Sequence, residues 1–290
     1  MTGANRSGKS VRMARRMIFA AAALLLVAGV LFGFMFAEAR SDPVVRRATL
    51  VLPGLTRPVT VALVSDIHLG SAAIPEARLE RIVDRVNALQ PDMVALAGDF
   101  IAGHQPNSAA GIAPGLTHPL GRLRAPLGTV AVLGNHDWYT GASAVRAALA
   151  KAGVTVVENG AVARGPLAVG GAGDVFSGHA DLSRTVRAAR AVGRPWLLLT
   201  HSPDLAWSLP PDARVLLAGH THCGQVVLPW WGPVISDSPR SGRRLYDRRF
   251  RCGLIGFRGH TVVVTAGVGG TTPLRFGAPP DIWLLTLKGR

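Results

Sequence analysis

Residues 59–68 read Val-Thr-Val-Ala-Leu-Val-Ser-Asp-Ile-His. Six apolar or β-branched residues run unbroken into a serine, a carboxylate and an imidazole. A short run of this kind suits a strand buried on both faces, as in the parallel sheets of α/β proteins. The pattern recurs along the chain. Residues 93–97 (MVALA) lead into Gly98-Asp99, and residues 129–133 (TVAVL) into Gly134-Asn135-His136-Asp137. Residues 196–199 (WLLL) lead into Thr200-His201, and residues 215–218 (VLLA) into Gly219-His220-Thr221-His222. Residues 261–265 (TVVVT) form a sixth run. Between them, Leu79, Ile82, Val83, Val86 and Leu89 recur at helical spacing behind Pro75, while 142–152 and 181–192 are weaker helix patterns. Segments 102–121 and 228–256 read as long loops rich in Gly and Pro.

Strands alternating with helices predict one α/β domain. In such sheets the C-terminal strand edge is where ligands bind. Five predicted strands deliver Asp, Asn or His to that edge: Asp66, His68, Asp99, Asn135, His201, His220 and His222. Imidazole, carboxylate and amide oxygens suit divalent Mn, Fe or Zn. Seven donors exceed the needs of one four-coordinate ion with an open position, and suit two ions sharing a carboxylate. If Asp66-Ile67-His68 is extended, its alternate residues share a face, and His220-Thr221-His222 repeats the device. Gly98, Gly134 and Gly219 before the donors allow close approach of backbone to ligand.

This ordered set of motifs resembles the calcineurin-like metallophosphoesterases from Val59 to the C-terminus. The resemblance implies a four-layer α/β/β/α fold and a two-metal centre. By motif, Asp66, His68 and His222 would hold one metal, Asn135, His201 and His220 the other, and Asp99 would bridge them. His136 matches the family's catalytic histidine. The stretches 219–226 (GHTHCGQV), 267–271 (GVGGT) and 273–276 (PLRF) are similar to a membrane-linked bacterial subgroup, related to enzymes that cleave UDP-2,3-diacylglucosamine in lipid A synthesis. Two positions depart from the pattern. Ala102 stands where many members carry an Asp that supports the catalytic histidine. Cys223 stands where the subgroup often has Gly, and reads as a small packed residue. Asp174 reads as a turn residue, with lining of the site as the alternative, and His104, His118, His179 and His260 read as ordinary loop residues.

The N-terminus is a different device. Residues 17–37 carry no charge and, as a helix, span about 31 Å, near the hydrocarbon thickness of a bilayer. Arg6, Lys9, Arg12, Arg15 and Arg16 precede the run; Arg40, Arg46 and Arg47 follow it. That bias predicts a single anchor with the catalytic domain outside the cytoplasm. The alternative is a cleaved twin-arginine-type signal, with Ala37-Glu38-Ala39 as the peptidase site. The organisation read from sequence is a basic tail at 1–16, an anchor or signal at 17–37, a linker at 38–48 and a catalytic domain at 49–290.

The chain has 32 Lys+Arg against 17 Asp+Glu, a net charge of +15. Such an excess suits nucleic acid, an anionic membrane or a phosphorylated substrate. Arg240, Arg243, Arg244, Arg248, Arg249 and Arg251 form a candidate anion-binding rim. Trp230, Trp231 and Phe250 flank it in the manner of a membrane interface. Hydrophobic residues, at 48%, exclude a disordered chain, and two cysteines exclude a disulfide scaffold. The expected activity is hydrolysis of a phosphodiester or diphosphate by a two-metal activated hydroxide, on a lipid-linked or cell-envelope substrate. A nuclease or nucleotide phosphodiesterase is the alternative, disfavoured because the membrane segment argues against nucleic acid as partner.

Overall fold

The computed structural model describes residues 4–238 and 242–289. Two six-stranded sheets face each other. The first has the order β1 (Val44–Val51), β14 (Asp281–Lys288), β2 (Val59–Val64), β3 (Met93–Ala97), β4 (Thr129–Val132) and β5 (Thr155–Val156). The second has the order β12 (Gly253–Phe257), β13 (His260–Val264), β9 (Val215–Ala218), β8 (Trp196–Leu199), β7 (Leu167–Gly171) and β6 (Gly160–Arg164). A small hairpin joins β10 (Val227–Leu228) to β11 (Gly232–Pro233). The helices are α1 (Ala4–Arg40), α2 (Glu76–Ala88), α3 (Ala109–Ile112), α4 (Pro114–Gly121), α5 (Asn135–Thr140), α6 (Ala142–Lys151) and α7 (Leu182–Ala191).

Alternation along the strands explains the layering. Ala62, Val64, Val94, Leu96 and Ala131 face Leu79, Ile82 and Val86 of α2 and Leu116 and Leu120 of α4. Their neighbours Val61, Leu63, Ala95, Val130 and Val132 face Leu197, Leu199, Val215, Leu217 and Val263 of the other sheet. Leu198, Leu216, Ala218, Val262 and Val264 turn outward onto Val186 and Ala189 of α7. Helix, sheet, sheet and helix therefore stack as four layers, as the resemblance implies. Burying each Leu or Val contributes about 1.5–3 kcal/mol, so three stacked apolar interfaces dominate stability. Strands β2 to β5 run parallel, as do β7, β8, β9 and β13, so each sheet sends its loops to a common edge.

Three sequence readings need correction. Segment 228–256 is not all loop: it holds the β10–β11 hairpin and the start of β12, whose pairing with β13 makes it a strand. Segment 102–121 is not all loop: it contains α3 and α4. Pro114 sits in the first turn, where its missing N–H costs nothing, and Leu116 and Leu120 are buried. The 38–48 stretch is not a linker. Helix α1 continues to Arg40, and β1 opens at Val44 as an edge strand parallel to β14. The reason is a set of specific contacts. Arg275 N donates to Met35 O at 3.0 Å, the Phe34 and Phe276 rings lie 6.0 Å apart, and Arg78 donates to Ser41 O at 2.7 Å. Residues 12–34 are exposed throughout, burial begins at Met35, and Ala39 is fully packed. The exposed part belongs to a stretch, Arg12–Arg40, long and apolar enough to cross a membrane.

Candidate metal centre

The loops after β2, β3 and β4 meet those after β8 and β9 at one edge of the sandwich. Asp66 and His68 follow β2, Asp99 follows β3, and Asn135 and His136 open α5 behind β4. His201 follows β8, and His220 and His222 follow β9. All seven residues predicted as ligands come together there. The carboxylate oxygen and imidazole nitrogens of Asp66, His68 and His222 lie within 4.8 Å of one another, and so do those of Asp99, His201 and His220. One oxygen joins the groups: Asp99 Oδ2 lies 3.6 Å from His68 Nε2 and 3.2 Å from His201 Nε2. Asp66 Oδ1 lies 3.5 Å from His222 Nε2.

The backbone is not extended here, contrary to the Asp-x-His reading. Asp66, His68, Asp99, His220 and His222 all have φ between 48° and 71°. Non-glycine residues seldom adopt this left-handed region, and it concentrates at functional sites. The loops hold it through cross-strand bonds: His68 N donates to Asp99 O at 2.9 Å and Asp66 N to Gly98 O at 2.9 Å. Asp137 locks the floor. Its two oxygens accept from the backbone N–H of Gly134, Asp99, Phe100 and Ile101. Gly219 is required by space: a Cβ there would overlap Ser65 Oγ and come within 2.5 Å of Asp66 Oδ2. Gly219→Ala is therefore expected to displace Asp66 and lower stability by about 1–3 kcal/mol, the usual cost of overpacking, with a parallel loss of metal affinity. Thermal denaturation with and without added Mn²⁺ checks both effects.

The donor set fits divalent cations. Asp66 Oδ1, His68 Nε2 and Asn135 Oδ1 are three of the thirteen buried side-chain N and O atoms that lack a protein hydrogen-bond partner among the described residues, and these three converge in the cluster. Buried polar atoms are otherwise nearly always paired. His201 Nδ1 bonds Ala97 O at 2.7 Å and His220 Nε2 bonds Leu245 O at 2.9 Å. A carbonyl only accepts, so those nitrogens carry the protons. The opposite nitrogens are left to face the cluster, the arrangement expected around a metal. Burial lowers His68 to about 3 and His220 to about 4, and it drives His222 well below the ordinary imidazole value. For Asp99, burial opposes ionisation, but His201 and His136 override it and hold the carboxyl well below its usual range. Burial likewise opposes a charged His201, and Asp99 overrides it and raises the imidazole well above normal. Burial raises Asp66 to about 6, and burial plus the Asp99 charge raises Asp137 to about 8. Neutral His68, His220 and His222 around an ionised Asp99 are protonation states that suit metal binding, while His201, held charged by Asp99, would give up a proton to a bound cation.

His136 has a positioning partner that its sequence environment concealed. Ala102 supplies no carboxylate, but the next residue supplies a backbone acceptor: His136 Nδ1 donates to Gly103 O at 2.6 Å. His136 N also donates to Asp99 Oδ1 at 2.8 Å. The ring of His104, an ordinary loop residue by sequence, packs 4.3 Å from that of His136 and 5.8 Å from that of Tyr139. Nothing at sequence level marks His104 beyond its closeness to Asp99. Nor are His118 and His260 loop residues: one lies on α4 and the other is buried in β13, while His179 does sit in a loop and stacks on Trp138. Asp174 is also buried and serves both readings: Ser177 N donates to its Oδ2 as in a turn, while its Oδ1 has no hydrogen-bond partner and its charge acts on His201 and His220 of the site.

A cavity of about 910 Å³ opens over the cluster. Asp99, Asn135, His136, His220 and His222 form its polar end. Val226, Val234, Ile235, Leu245, Leu274 and, from α1, Met35 form its apolar side. The arginine run is dispersed. Arg243 lies over the ring of cavity-lining Phe176 at 4.9 Å. Arg244 faces Asp237, while Arg249 pairs with Asp247 and covers Trp207. Arg240 lies outside the described residues. Phe250, read as an interface aromatic, is instead fully buried between Trp207 and Phe257.

Cys223 is not a lone packed residue: it forms a disulfide with Cys252. The bond ties the His220–His222 loop to the start of β12, reinforced by Thr221 Oγ1 donating to Arg251 O at 2.6 Å. The pair is 29 residues apart, so spacing alone offers no hint of it. Its loss is expected to cost about 2–4 kcal/mol. Urea unfolding of Cys252→Ser beside the parent chain, with and without reductant, measures this.

Residues 59–264 match the calcineurin-like phosphoesterase family, and the chain belongs to it. It is accordingly a metallophosphoesterase, a hydrolase acting on phosphoric esters. It is 32% identical over 236 residues to the uncharacterized metallophosphoesterase YkuE of Bacillus subtilis (strain 168), covering 77% of each chain. It is 30% identical over 257 residues to a transmembrane protein with metallophosphoesterase domain of Danio rerio, covering 82% of this chain and 55% of that protein, about half its length. Among solved structures it aligns with a 5'-nucleotidase precursor from Thermus thermophilus at a TM-score of 0.47 and 18% identity, over 79% of this chain and 55% of that one.

Proposed function

We propose that this chain is a membrane-anchored, two-metal phosphoesterase that hydrolyses a phosphodiester or diphosphate bond of a lipid-linked, cell-envelope substrate. The observation that carries the reading is the shared cavity: Met35 of the apolar helix lines the same space as Asn135, His136, His220 and His222. A headgroup phosphate at the polar end leaves its acyl portion against Val226, Val234, Ile235, Leu245 and Leu274. A nuclease or nucleotide phosphodiesterase has no use for that apolar side.

Asp66, His68 and His222 would hold one cation and Asn135, His201 and His220 the other, with Asp99 between the two groups. Manganese, iron and zinc all suit these donors. Bound cations supply charge for the phosphoryl oxygens and lower the pKa of water. The protein's own part is placement. Gly103 O fixes the His136 ring through Nδ1–H, so its Nε2 faces the leaving oxygen; the proton delivered there comes from the doubly protonated ring, which is left neutral with its Nδ1–H bond to Gly103 intact. Arg243, over Phe176 at the cavity wall, is the member of the arginine run placed to attract an anionic headgroup.

Two features support an anchored domain outside the cytoplasm. The disulfide fits an oxidising compartment, in agreement with the basic flank at the N-terminus. Cleavage after Ala39 would remove Phe34, Met35 and the buried Ala39, all of which pack on the domain, so a retained helix is favoured over a cleaved signal. UDP-2,3-diacylglucosamine has the right chemistry, but a domain outside the cytoplasm favours an envelope lipid phosphate over a UDP-sugar. The test is a panel with the full chain in nanodiscs: an aryl phosphodiester, UDP-diacylglucosamine, phospholipids and DNA, each with Mn²⁺, Zn²⁺ or Fe²⁺. An acylated substrate is expected to exceed its deacylated analogue in kcat/KM by about tenfold or more, since several buried CH₂ groups contribute about 0.8 kcal/mol each. Preference for DNA or for the deacylated analogue overturns the lipid assignment.

A further inference from the structure

One exposed feature is used by neither the fold nor the metal centre. The tip of the β10–β11 hairpin carries Trp230 and Trp231, 101% and 88% exposed. Leu228, Val234 and Ile235 beside them are also exposed. Five apolar side chains in eight residues, two of them tryptophans, are out of place in water. Trp is the residue most at home where hydrocarbon meets headgroups, with an apolar ring and one N–H donor.

The hairpin's position says what covers it. Its base is tied to the segment that receives α1. Val227 N donates to Phe276 O at 2.8 Å, and Val226 pairs with Phe276. The next contacts lead to the helix: the Phe276 ring meets Phe34, and Arg275 N donates to Met35 O. Packing of the helix on the domain begins at Met35, which is partly buried, and Ala39 is fully buried, so the membrane surface meets the domain at that level. The hairpin therefore leaves the domain beside the point where α1 enters it. Val234 and Ile235 continue from the exposed tip into the cavity wall.

We infer that the hairpin 228–235 is a second membrane contact: Trp230 and Trp231 seat in the bilayer interface next to α1, and the strand behind them opens the apolar side of the cavity toward the lipid leaflet. The occupant of this surface is the bilayer, and the inference rests on α1 crossing the membrane as proposed above. It adds orientation to that anchor. A single helix leaves the domain free to rotate about its axis, whereas a helix and a wedge together hold the cavity mouth at the lipid surface.

The experiment uses the full chain reconstituted in vesicles of phosphatidylcholine and phosphatidylglycerol, with part of the phosphatidylcholine replaced by its dibrominated form. Bromine quenches tryptophan only at close range, and α1 contains no Trp. The parent chain and the double variant Trp230→Ala/Trp231→Ala are compared. The expected result is clear quenching of the parent emission and loss of that quenchable component in the variant. Turnover of a soluble aryl phosphodiester stays unchanged, and turnover of the vesicle-borne substrate falls about tenfold. Equal fractional quenching in both chains overturns the inference. The two readings fail separately. Quenching confined to the parent, with no lipid substrate cleaved, supports the wedge and removes the lipid assignment. Lipid cleavage at equal rates with equal quenching removes the wedge and leaves that assignment standing.

Discussion

Asp99→Ala is expected to bind neither cation stably and to hydrolyse an aryl phosphodiester at least about 10³-fold more slowly, a loss of about 4 kcal/mol of transition-state stabilisation. Asp99 Oδ2 is the atom both ligand groups share, with His68 on one side and His201 on the other. Its removal also exposes three imidazoles to one another. His201, held charged by Asp99 against its own burial, becomes a neutral ring beside His220 at 3.1 Å. Elemental analysis of the purified variant gives the metal content, and circular dichroism verifies the fold. Two cations per chain with Asp99 absent would show that the bridge lies elsewhere.

His136→Ala is expected to keep both cations and lose about 10²–10⁴-fold in kcat, the range of general acid catalysis. The ring contributes Nε2 to the cavity, while its backbone N–H, which bonds Asp99, survives the substitution. A leaving group of low pKa needs less protonation, so the defect should shrink as nitrophenyl esters replace alkyl esters. That dependence separates proton donation from a structural role. An equal loss for every leaving group contradicts the assignment to His136.

Much of the site was legible because it is short-range. A β-strand followed directly by its donors, three times out of five through a Gly, carries its chemistry within a few residues, and five such units in order pointed to the seven candidate ligands that the fold brings to one edge. Six of the twelve sheet strands, β2, β3, β4, β8, β9 and β13, were legible as apolar runs, while β7 and β14 were not read although both are buried. What escaped was set by tertiary contact. The edge strand β1 reads VVRRATLV, neither an unbroken apolar run nor an alternating one, and its pairing with β14 makes it a strand. The left-handed φ values of Asp66 and His68 depend on bonds to the β3 loop, so the sequence read as extended there. The support for His136 moved from a missing side chain at Ala102 to a carbonyl at Gly103, and a carbonyl has no residue-type signature. The disulfide and the docking of Met35 beside the metal centre likewise join positions far apart in the chain.

The most direct measurement is a titration of the metal-stripped full chain with Mn²⁺ while aryl phosphodiester hydrolysis is followed. Turnover is predicted to vanish on chelation and to return only as a second equivalent of cation binds per chain. Full turnover at a single equivalent, or activity that survives exhaustive chelation, would contradict a paired metal centre bridged by Asp99.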